Sequence, residues 1–230
     1  MSDWPTLTSV DDVSQVLESS RSYLADAGFA ELAQSLPGTA SPESLDAAEQ
    51  GIAAGLTFGF VFPGAGAQTE RLPQLVTLAE SPEPSLGESD QYQAPYAPSE
   101  DDLAAVEIHN RPEGAYLLLI SPAGYPAETR GKTAPQLRKY LKSMDRTSLT
   151  APEYLILQRL FAGLHGDHRF DNYGSGVEDS QWMWLPDSTC GDKTFMAYWN
   201  GGKSRVELAL CRTGSKNPRK GAHPTLVVPV

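Results

Sequence analysis

The sequence has few of the features that mark secreted, disulfide-stabilised or membrane-spanning proteins. It contains 2 cysteines among 230 residues, too few for a disulfide framework or for a zinc site built from cysteines. Residues 1–15 show no basic segment followed by an apolar one, so no signal peptide is predicted. The longest apolar stretches, residues 55–67 and 116–122, are shorter than the ~20 residues that span a bilayer. We therefore expect a cytoplasmic protein without a membrane segment.

Basic residues are scarce in the first half of the chain. Residues 1–115 hold 19 acidic and 3 basic side chains, a net charge of −16, and no lysine precedes Lys132. Residues 116–230 hold 10 acidic and 15 basic side chains, a net charge of +5. Such asymmetry occurs in nucleic-acid-binding proteins, but +5 is mild for a surface that contacts several phosphates. We expect the two halves to attract each other, and we rank a nucleic-acid partner below a small-molecule or protein partner.

Helices are predicted where a capping residue precedes apolar residues at helical spacing. The start signals are Ser9, Ser41 followed by Pro42, Thr133 with Gln136, and Thr150 with Glu153. Shorter helical segments are predicted after Phe29 and around Pro73, where the proline breaks or ends a helix. The predicted helices cover residues 9–28, 29–37, 41–52, 69–78, 133–144 and 150–164.

Strands are predicted where β-branched and aromatic residues cluster between turn signals. They cover residues 56–62, 105–109, 115–121, 181–185, 194–199 and 204–211, with a short closing strand at 225–230. Residues 111–114 predict a hairpin turn, and Asn200-Gly201-Gly202 predicts a second one. Residues 212–224 are predicted to form a basic tail without core residues.

The order of these elements favours an α+β fold. We expect N-terminal helices, a mixed or antiparallel sheet with two central helices, and a Trp-rich C-terminal set of strands. One unit should span residues 1–230, with an acidic part (1–80), a proline-rich loop (81–99) and a basic part (100–230). A lone strand at 56–62 needs a sheet to satisfy its backbone groups, so it should pair with the strands at 105–121.

Aromatic residues are concentrated on two neighbouring predicted strands. Trp182 and Trp184 are two positions apart and therefore share one face of a strand. A face with two indoles is either a core layer or a stacking surface for a flat ligand, a sugar or a base, and the core layer is the commoner case. The candidate ligand-binding residues are Trp182, Trp184, Tyr198, Trp199, Lys203 and Arg205.

A polar segment after the last predicted helix offers the strongest candidate metal ligands. His165, Asp167, His168 and Asp171 could together bind a divalent metal. The alternative is a solvated loop, with the histidines near a helix C-terminus that favours cations. The chain shows no nucleophile–base pair and no cofactor fingerprint, since residues 64–66 lack the third glycine of a dinucleotide-binding loop. No cofactor is predicted, and a divalent metal is kept as the alternative.

Several ordered segments carry a resemblance to one protein family. They are residues 27–33, 58–76, 115–121, 146–157 and 172–176, followed by the Trp-rich strands, MAYWNGG (196–202) and Cys211. In these segments the chain resembles a family of uncharacterised bacterial proteins defined only as a domain of unknown function. That family has a turn with Asn, Pro and His after its Trp-rich strand, whereas residues 200–204 contain no histidine. The resemblance implies one cytoplasmic unit and supplies no reaction.

Three functions follow from these patterns. The first is a non-catalytic or accessory binding protein that uses the aromatic strand face. The second is a hydrolase- or transferase-type enzyme of a specialised bacterial pathway, assisted by a metal at His165, Asp167, His168 and Asp171. The third is weak nucleic-acid binding through the basic second half, which includes a run from Arg130 to Arg146.

Overall fold

The computed structural model describes residues 4–78, 98–121, 125–165, 182–200, 205–216 and 220–230. Within these residues the protein is α+β, with two antiparallel sheets of strand order β1-β3-β7 and β2-β4-β5-β6. The predicted class is therefore confirmed, and the single predicted sheet is two sheets. The helices are α1 (Val13–Asp26), α2 (Ala30–Ser35), α3 (Pro42–Ala53), α4 (Ala65–Leu78), α5 (Glu100–Ala104), α6 (Ala134–Lys142) and α7 (Ala151–His165). The strands are β1 (Phe58–Phe62), β2 (Glu107–Ile108), β3 (Tyr116–Ile120), β4 (Met183–Cys190), β5 (Lys193–Asn200), β6 (Arg205–Arg212) and β7 (Thr225–Pro229).

The predicted helix starts are confirmed by their capping hydrogen bonds. Before α6, the Gln136 amide N–H donates to Thr133 Oγ1 at 3.4 Å, and the Thr133 N–H donates to Gln136 Oε1 at 3.0 Å. Before α7, the Thr150 N–H donates to Glu153 Oε2 at 2.8 Å. These reciprocal bonds satisfy backbone donors that have no partner in the first helical turn.

The chain forms two compact units by its contacts. The first comprises Met1–Gln68, Arg111–Pro122 and Thr225–Val230, and the second comprises Thr69–Asn110 and Ala123–Pro224. Each unit therefore draws residues from both the acidic and the basic half of the sequence. The expectation of one unit with an acidic part (1–80) and a basic part (100–230) stays a prediction, and residues 81–97 of the proline-rich loop lie outside the described residues.

The sheet of the first unit is assembled from distant parts of the chain. β3 is its central strand and pairs antiparallel with β1, from Phe58↔Ile120 to Phe62↔Tyr116, and with β7 on its other edge. All residues of β1 and β3 are buried. α1 contacts β1, and α3 contacts β3 and β7. The predicted pairing of the 56–62 strand with the 105–121 region is confirmed for β3.

The predicted hairpin between residues 105–109 and 115–121 is wrong. β2 contains two residues and pairs with Thr189 and Ser188 of β4, while β3 pairs with β1 and β7. The physical reason lies in β3 itself, whose five consecutive residues are buried, so its backbone N–H and C=O groups need hydrogen-bond partners on both edges. The turn signal at residues 111–114 predicted pairing with the preceding strand, but β3 pairs with β1 and β7 instead.

The sheet of the second unit is built around two hairpins. β4 and β5 are joined through Gly191, whose φ of 58° favours glycine. β5 and β6 pair over their full length, from Lys193↔Arg212 to Asn200↔Arg205. The predicted turn after Asn200 falls largely on residues 201–204, outside the described residues. α6 contacts β4, and α7 contacts β5.

Cutting the chain inside the proline-rich segment should leave two fragments that stay together. β1 precedes this segment and β3 follows it, yet the two strands are paired across five residue pairs in one buried sheet. Separation would expose that apolar surface and leave the backbone groups of both strands without partners.

The measurement inserts a site-specific protease sequence between Gly87 and Glu88 and follows the cleaved protein by size-exclusion chromatography. We expect the two fragments to elute together in native buffer and apart in urea. Two fragments that separate in native buffer, each folded, would contradict the composition of the first unit.

Candidate functional site

Strands β4 to β6 place aromatic and small side chains on one face of their sheet, which we call the aromatic face. The cross-strand pairs Trp184↔Met196 and Met196↔Ala209 lie on it, and every second residue along each strand joins them. Trp182, directly before β4, packs against the same cluster. The aromatic face comprises Trp182, Trp184, Thr194, Met196, Tyr198, Glu207, Ala209 and Cys211.

The central part of the aromatic face is a core layer. Ala134 and Leu137 of α6 and Ala222 of the C-terminal region form one buried cluster with Trp184 and its strand neighbours. The exposed fraction of the Trp184 side chain is 0%. A ligand cannot reach this indole while α6 and residue 222 remain in place.

One end of the aromatic face remains accessible. Trp182 and Tyr198 are both half-buried, and their ring centroids lie 4.0 Å apart. The Tyr198 hydroxyl donates a hydrogen bond of 2.6 Å to Glu207 Oε2. This end therefore presents two adjoining rings with a carboxylate beside them.

The other predicted ligand-binding residues lie elsewhere or outside the described side chains. Trp199 pairs with Val206 and so occupies the opposite face of the sheet. Arg205 is the first residue of β6, and its side chain is outside the description, as is the whole of Lys203. The structure thus brings Trp182, Trp184 and Tyr198 together and separates Trp199 from them.

The predicted metal ligands fall almost entirely outside the described residues. His165 ends α7, but its side chain is not described, and Asp167, His168 and Asp171 lie in the 166–181 gap. Within the described part of the chain, no group of three or more His, Cys, Asp or Glu side chains is placed to hold a metal ion. The metal hypothesis therefore stays a prediction.

Several members of the basic run are engaged by neighbouring groups. Arg138 donates from Nε to the carbonyl oxygen of Pro186 at 2.8 Å. Lys132 Nζ lies 5.0 Å from the centre of the Tyr140 ring, and Arg130 packs over Tyr125. Lys139 and Lys142 remain exposed on α6.

The predicted basic tail at residues 212–224 is wrong for its last part, which enters the core. The backbone N–H of Trp184 donates to the Gly221 carbonyl at 2.7 Å, and the Gly221 N–H donates to the backbone carbonyl of Trp182 at 3.4 Å. Gly221 thereby continues the sheet in parallel at the edge of β4. Lys220, Ala222 and His223 are buried beside it, with exposed fractions of 4%, 0% and 1%. We call residues 220–223 the edge segment.

A loop of the same unit fixes the edge segment from its other side. The Gly131 N–H donates to the Lys220 carbonyl at 3.1 Å, and the Ala222 N–H donates to Thr129 Oγ1 at 3.2 Å. The His223 and Tyr125 rings meet edge to face, with centroids 6.0 Å apart. Backbone groups of the edge segment are therefore hydrogen-bonded along both sides, to the backbone of β4 and its neighbour Trp182 and to Gly131 and the Thr129 hydroxyl.

Lys220 points its ammonium group into the buried part of the aromatic face. Its Nζ lies 4.6 Å from the centre of the Trp184 ring and 3.8 Å from Cys211 Sγ. Burial lowers the pKa of the Lys220 side chain, and the neighbouring Cys211 opposes that shift. The sequence did not predict this cluster, because a lysine between an arginine and a glycine gives no indication that it is buried.

Two further buried polar atoms of the aromatic face have no hydrogen-bond partner among the described residues. They are Trp184 Nε1 and Thr194 Oγ1. Thr194 pairs across the sheet with Cys211, whose sulfur Lys220 contacts. The buried part of the face therefore combines a desolvated amine, a thiol and two orphaned polar groups in an otherwise apolar layer.

Comparison of the chain with known protein families, with curated proteins and with solved structures gave no match. The resemblance to a bacterial family of unknown function therefore stays a prediction. No described helix is long and apolar enough to cross a membrane, and the cytoplasmic location likewise stays a prediction.

Replacing Gly221 by alanine should destabilise the protein by about 1–3 kcal/mol, the usual cost of overpacking. A Cβ at this position would overlap the Tyr125 ring and lie 2.9 Å from Thr129 Oγ1. Gly214→Ala is the matched control, because a Cβ there meets nothing within 4 Å, and its effect should stay within about 0.5 kcal/mol. Urea unfolding measures both variants, and equal stabilities would show that the edge segment is not packed in this way.

The pH dependence of stability should report on Lys220. Since its pKa is lowered on folding, the unfolded chain binds more protons between the folded pKa and the ordinary value of 10.5. Wild-type stability therefore rises with pH across that interval. Methionine does not titrate, so any advantage of Lys220→Met in the free energy of unfolding should shrink between pH 7 and pH 10.

Urea unfolding of both proteins at the two pH values measures this change. The exposed Lys139→Met variant controls for general effects of removing a lysine. A Lys220→Met difference that stays constant with pH would contradict the burial of the Lys220 amine.

Proposed function

We propose that the protein is a non-catalytic binding protein whose ligand contacts the open end of the aromatic face. The observation that carries the proposal is the Trp182–Tyr198 pair, whose rings adjoin at 4.0 Å and stay half-buried beside a fully buried Trp184. Aromatic rings of this kind offer large contact area with a polar edge, which suits them to ligand contact.

The ring pair is held in place before any ligand arrives. Trp182 packs against the buried cluster around Trp184, and Tyr198 is fixed by its hydrogen bond to Glu207, whose side chain is 7% exposed. Groups that are already ordered lose little conformational entropy on binding, so more of the contact energy appears as affinity.

The chemistry of this end favours a small molecule that carries a ring. Indole and phenol faces stack on sugar rings or heteroaromatic bases. The half-buried Tyr198 hydroxyl donates to the buried Glu207 carboxylate, so its oxygen is oriented to accept a hydrogen bond from a hydroxyl or amino group of such a ligand. We therefore expect a sugar-like or heteroaromatic ligand with hydrogen-bond donors at its rim.

Tryptophan fluorescence tests this proposal directly. A Trp4→Phe background removes an indole that packs among aromatic residues of the first unit. Titration with monosaccharides, nucleosides and short oligonucleotides should change the emission for at least one ligand class. Trp182→Leu should then weaken that ligand roughly tenfold or more, since one stacking contact contributes about 1–3 kcal/mol.

Variants on the two faces of the sheet distinguish loss of a ligand contact on the aromatic face from a general effect of removing an aromatic side chain. Trp199→Leu changes the opposite face and should leave the affinity within about twofold. Tyr198→Phe keeps the ring but removes the hydrogen bond to Glu207, so it should weaken binding less than Tyr198→Leu. A flat response across all ligand classes, or equal losses from Trp182→Leu and Trp199→Leu, would overturn the proposal.

A further inference from the structure

Lys220 and Cys211 are in contact in the interior of the second unit. Their Nζ and Sγ atoms lie 3.8 Å apart, and the two residues are 4% and 3% exposed. The Trp184 ring also faces the amine. Within the described residues no acidic side chain forms an ion pair with Lys220, and the amine lies beside sulfur and indole.

The second cysteine cannot serve as a disulfide partner for Cys211. Cys190 pairs with Lys193, and Cys211 pairs with Thr194, so alternation places the two cysteines on opposite faces of the sheet. They also lie on strands β4 and β6, which are separated by β5 and hence by about 9–10 Å. This separation exceeds the Cα distance that a disulfide spans. The nucleophile at hand for an oxidised Cys211 is therefore Lys220.

Burial makes the neutral form of Lys220, which is the form that attacks sulfur, more accessible than in an exposed lysine. The ammonium loses its hydration on burial, and this lowers the pKa of Lys220. The Trp184 ring at 4.6 Å limits where the end of the side chain can move. The amine is therefore held next to Sγ, and its neutral form is a nucleophile that can attack sulfur.

We propose that Cys211 and Lys220 are an oxidative modification site at which a peroxide creates a covalent Cys–Lys crosslink. In the first step the Cys211 thiol passes its proton to the amine, and the thiolate attacks one oxygen of hydrogen peroxide. The S–O bond forms, the O–O bond breaks, and the leaving hydroxide takes the proton back from Lys220 as water. Sulfur is oxidised to a sulfenic acid, peroxide is reduced, and the amine is neutral again.

In the second step the crosslink forms and a second water leaves. The Lys220 lone pair attacks Sγ of the sulfenic acid, the S–N bond forms, and the S–O bond breaks. The departing hydroxide takes one amine proton, so the thiol, the amine and one peroxide yield a sulfenamide and two waters. The product joins β6 covalently to the edge segment. Attack of an added thiol on sulfur breaks the S–N bond, returns a proton to the Lys220 amine and leaves a mixed disulfide at Cys211. A second thiol then reduces that disulfide, so the Cys211 thiol is restored and the two added thiols leave as a disulfide.

Mass spectrometry of the peroxide-treated full chain tests this proposal. We expect an intact mass lower by two hydrogen atoms, a tryptic peptide pair joined through Cys211 and Lys220, and loss of tryptic cleavage after Lys220. Dithiothreitol should restore the original mass and the cleavage. Cys190→Ala should crosslink like wild type, whereas Cys211→Ala and Lys220→Met should not.

Controls keep the test decisive if a variant does not fold. Wild type unfolded in urea and treated with the same peroxide should lose the crosslink, because the contact exists only in the folded chain. Gain of oxygen atoms without joined peptides, a crosslink through Cys190, or an equal crosslink yield in urea would each overturn the proposal. A joined pair that has lost two hydrogens and gained an oxygen would overturn the direct S–N bond.

Discussion

The close backbone approach at Gly221 is the constraint on which the second unit depends. Its carbonyl and N–H bond to Trp184 and Trp182 along an edge of β4 that β2, paired only at Ser188 and Thr189, does not reach. A glycine is required because the Tyr125 ring occupies the space of a Cβ. This approach places Lys220 and Ala222, one residue to either side, over the aromatic face.

The edge segment divides the aromatic face into parts with different chemistry. Under α6 and Ala222 the face is core, and Trp184 contributes packing. Beyond this cover, Trp182 and Tyr198 keep accessible ring surface next to Glu207. The interpretation of the tryptophans as a core layer therefore holds for Trp184, and a stacking surface stays a prediction for the neighbouring part that carries Trp182 and Tyr198. Burial of Lys220 adds a third feature, an amine and a thiol in contact in the interior.

Local signals were sufficient to predict much of the fold. Capping residues such as Thr133 and Thr150 mark helix starts because their side chains satisfy donors within three residues. Pairings that depend on distant residues escaped prediction, as in the hairpin assigned to residues 105–121, where β3 takes β1 and β7 as partners. The edge segment escaped for a related reason. Lysine and histidine residues in a sequence predict an exposed segment, and the burial of Lys220 and His223 depends on the pairing of this segment with the edge of β4.

The candidate site was predicted in part. Alternation along a strand was enough to place Trp182 and Trp184 on one face, because that rule needs no knowledge of the rest of the fold. It could not distinguish the covered tryptophan from the accessible one, since the cover comes from α6 and from residue 222. Trp199 was grouped with the others by proximity in sequence, although adjacent strand positions face opposite sides.

The burial of the Lys220 side chain in the edge segment is the central claim, and amine footprinting of the native protein tests it most directly. Brief acetylation followed by peptide mass spectrometry compares Lys220 with Lys139 and Lys142, which are exposed on α6. We expect acetylation of the two helix lysines with Lys220 protected, and equal acetylation of all three in urea. Acetylation of Lys220 in the native protein at the rate of Lys139 would contradict the account.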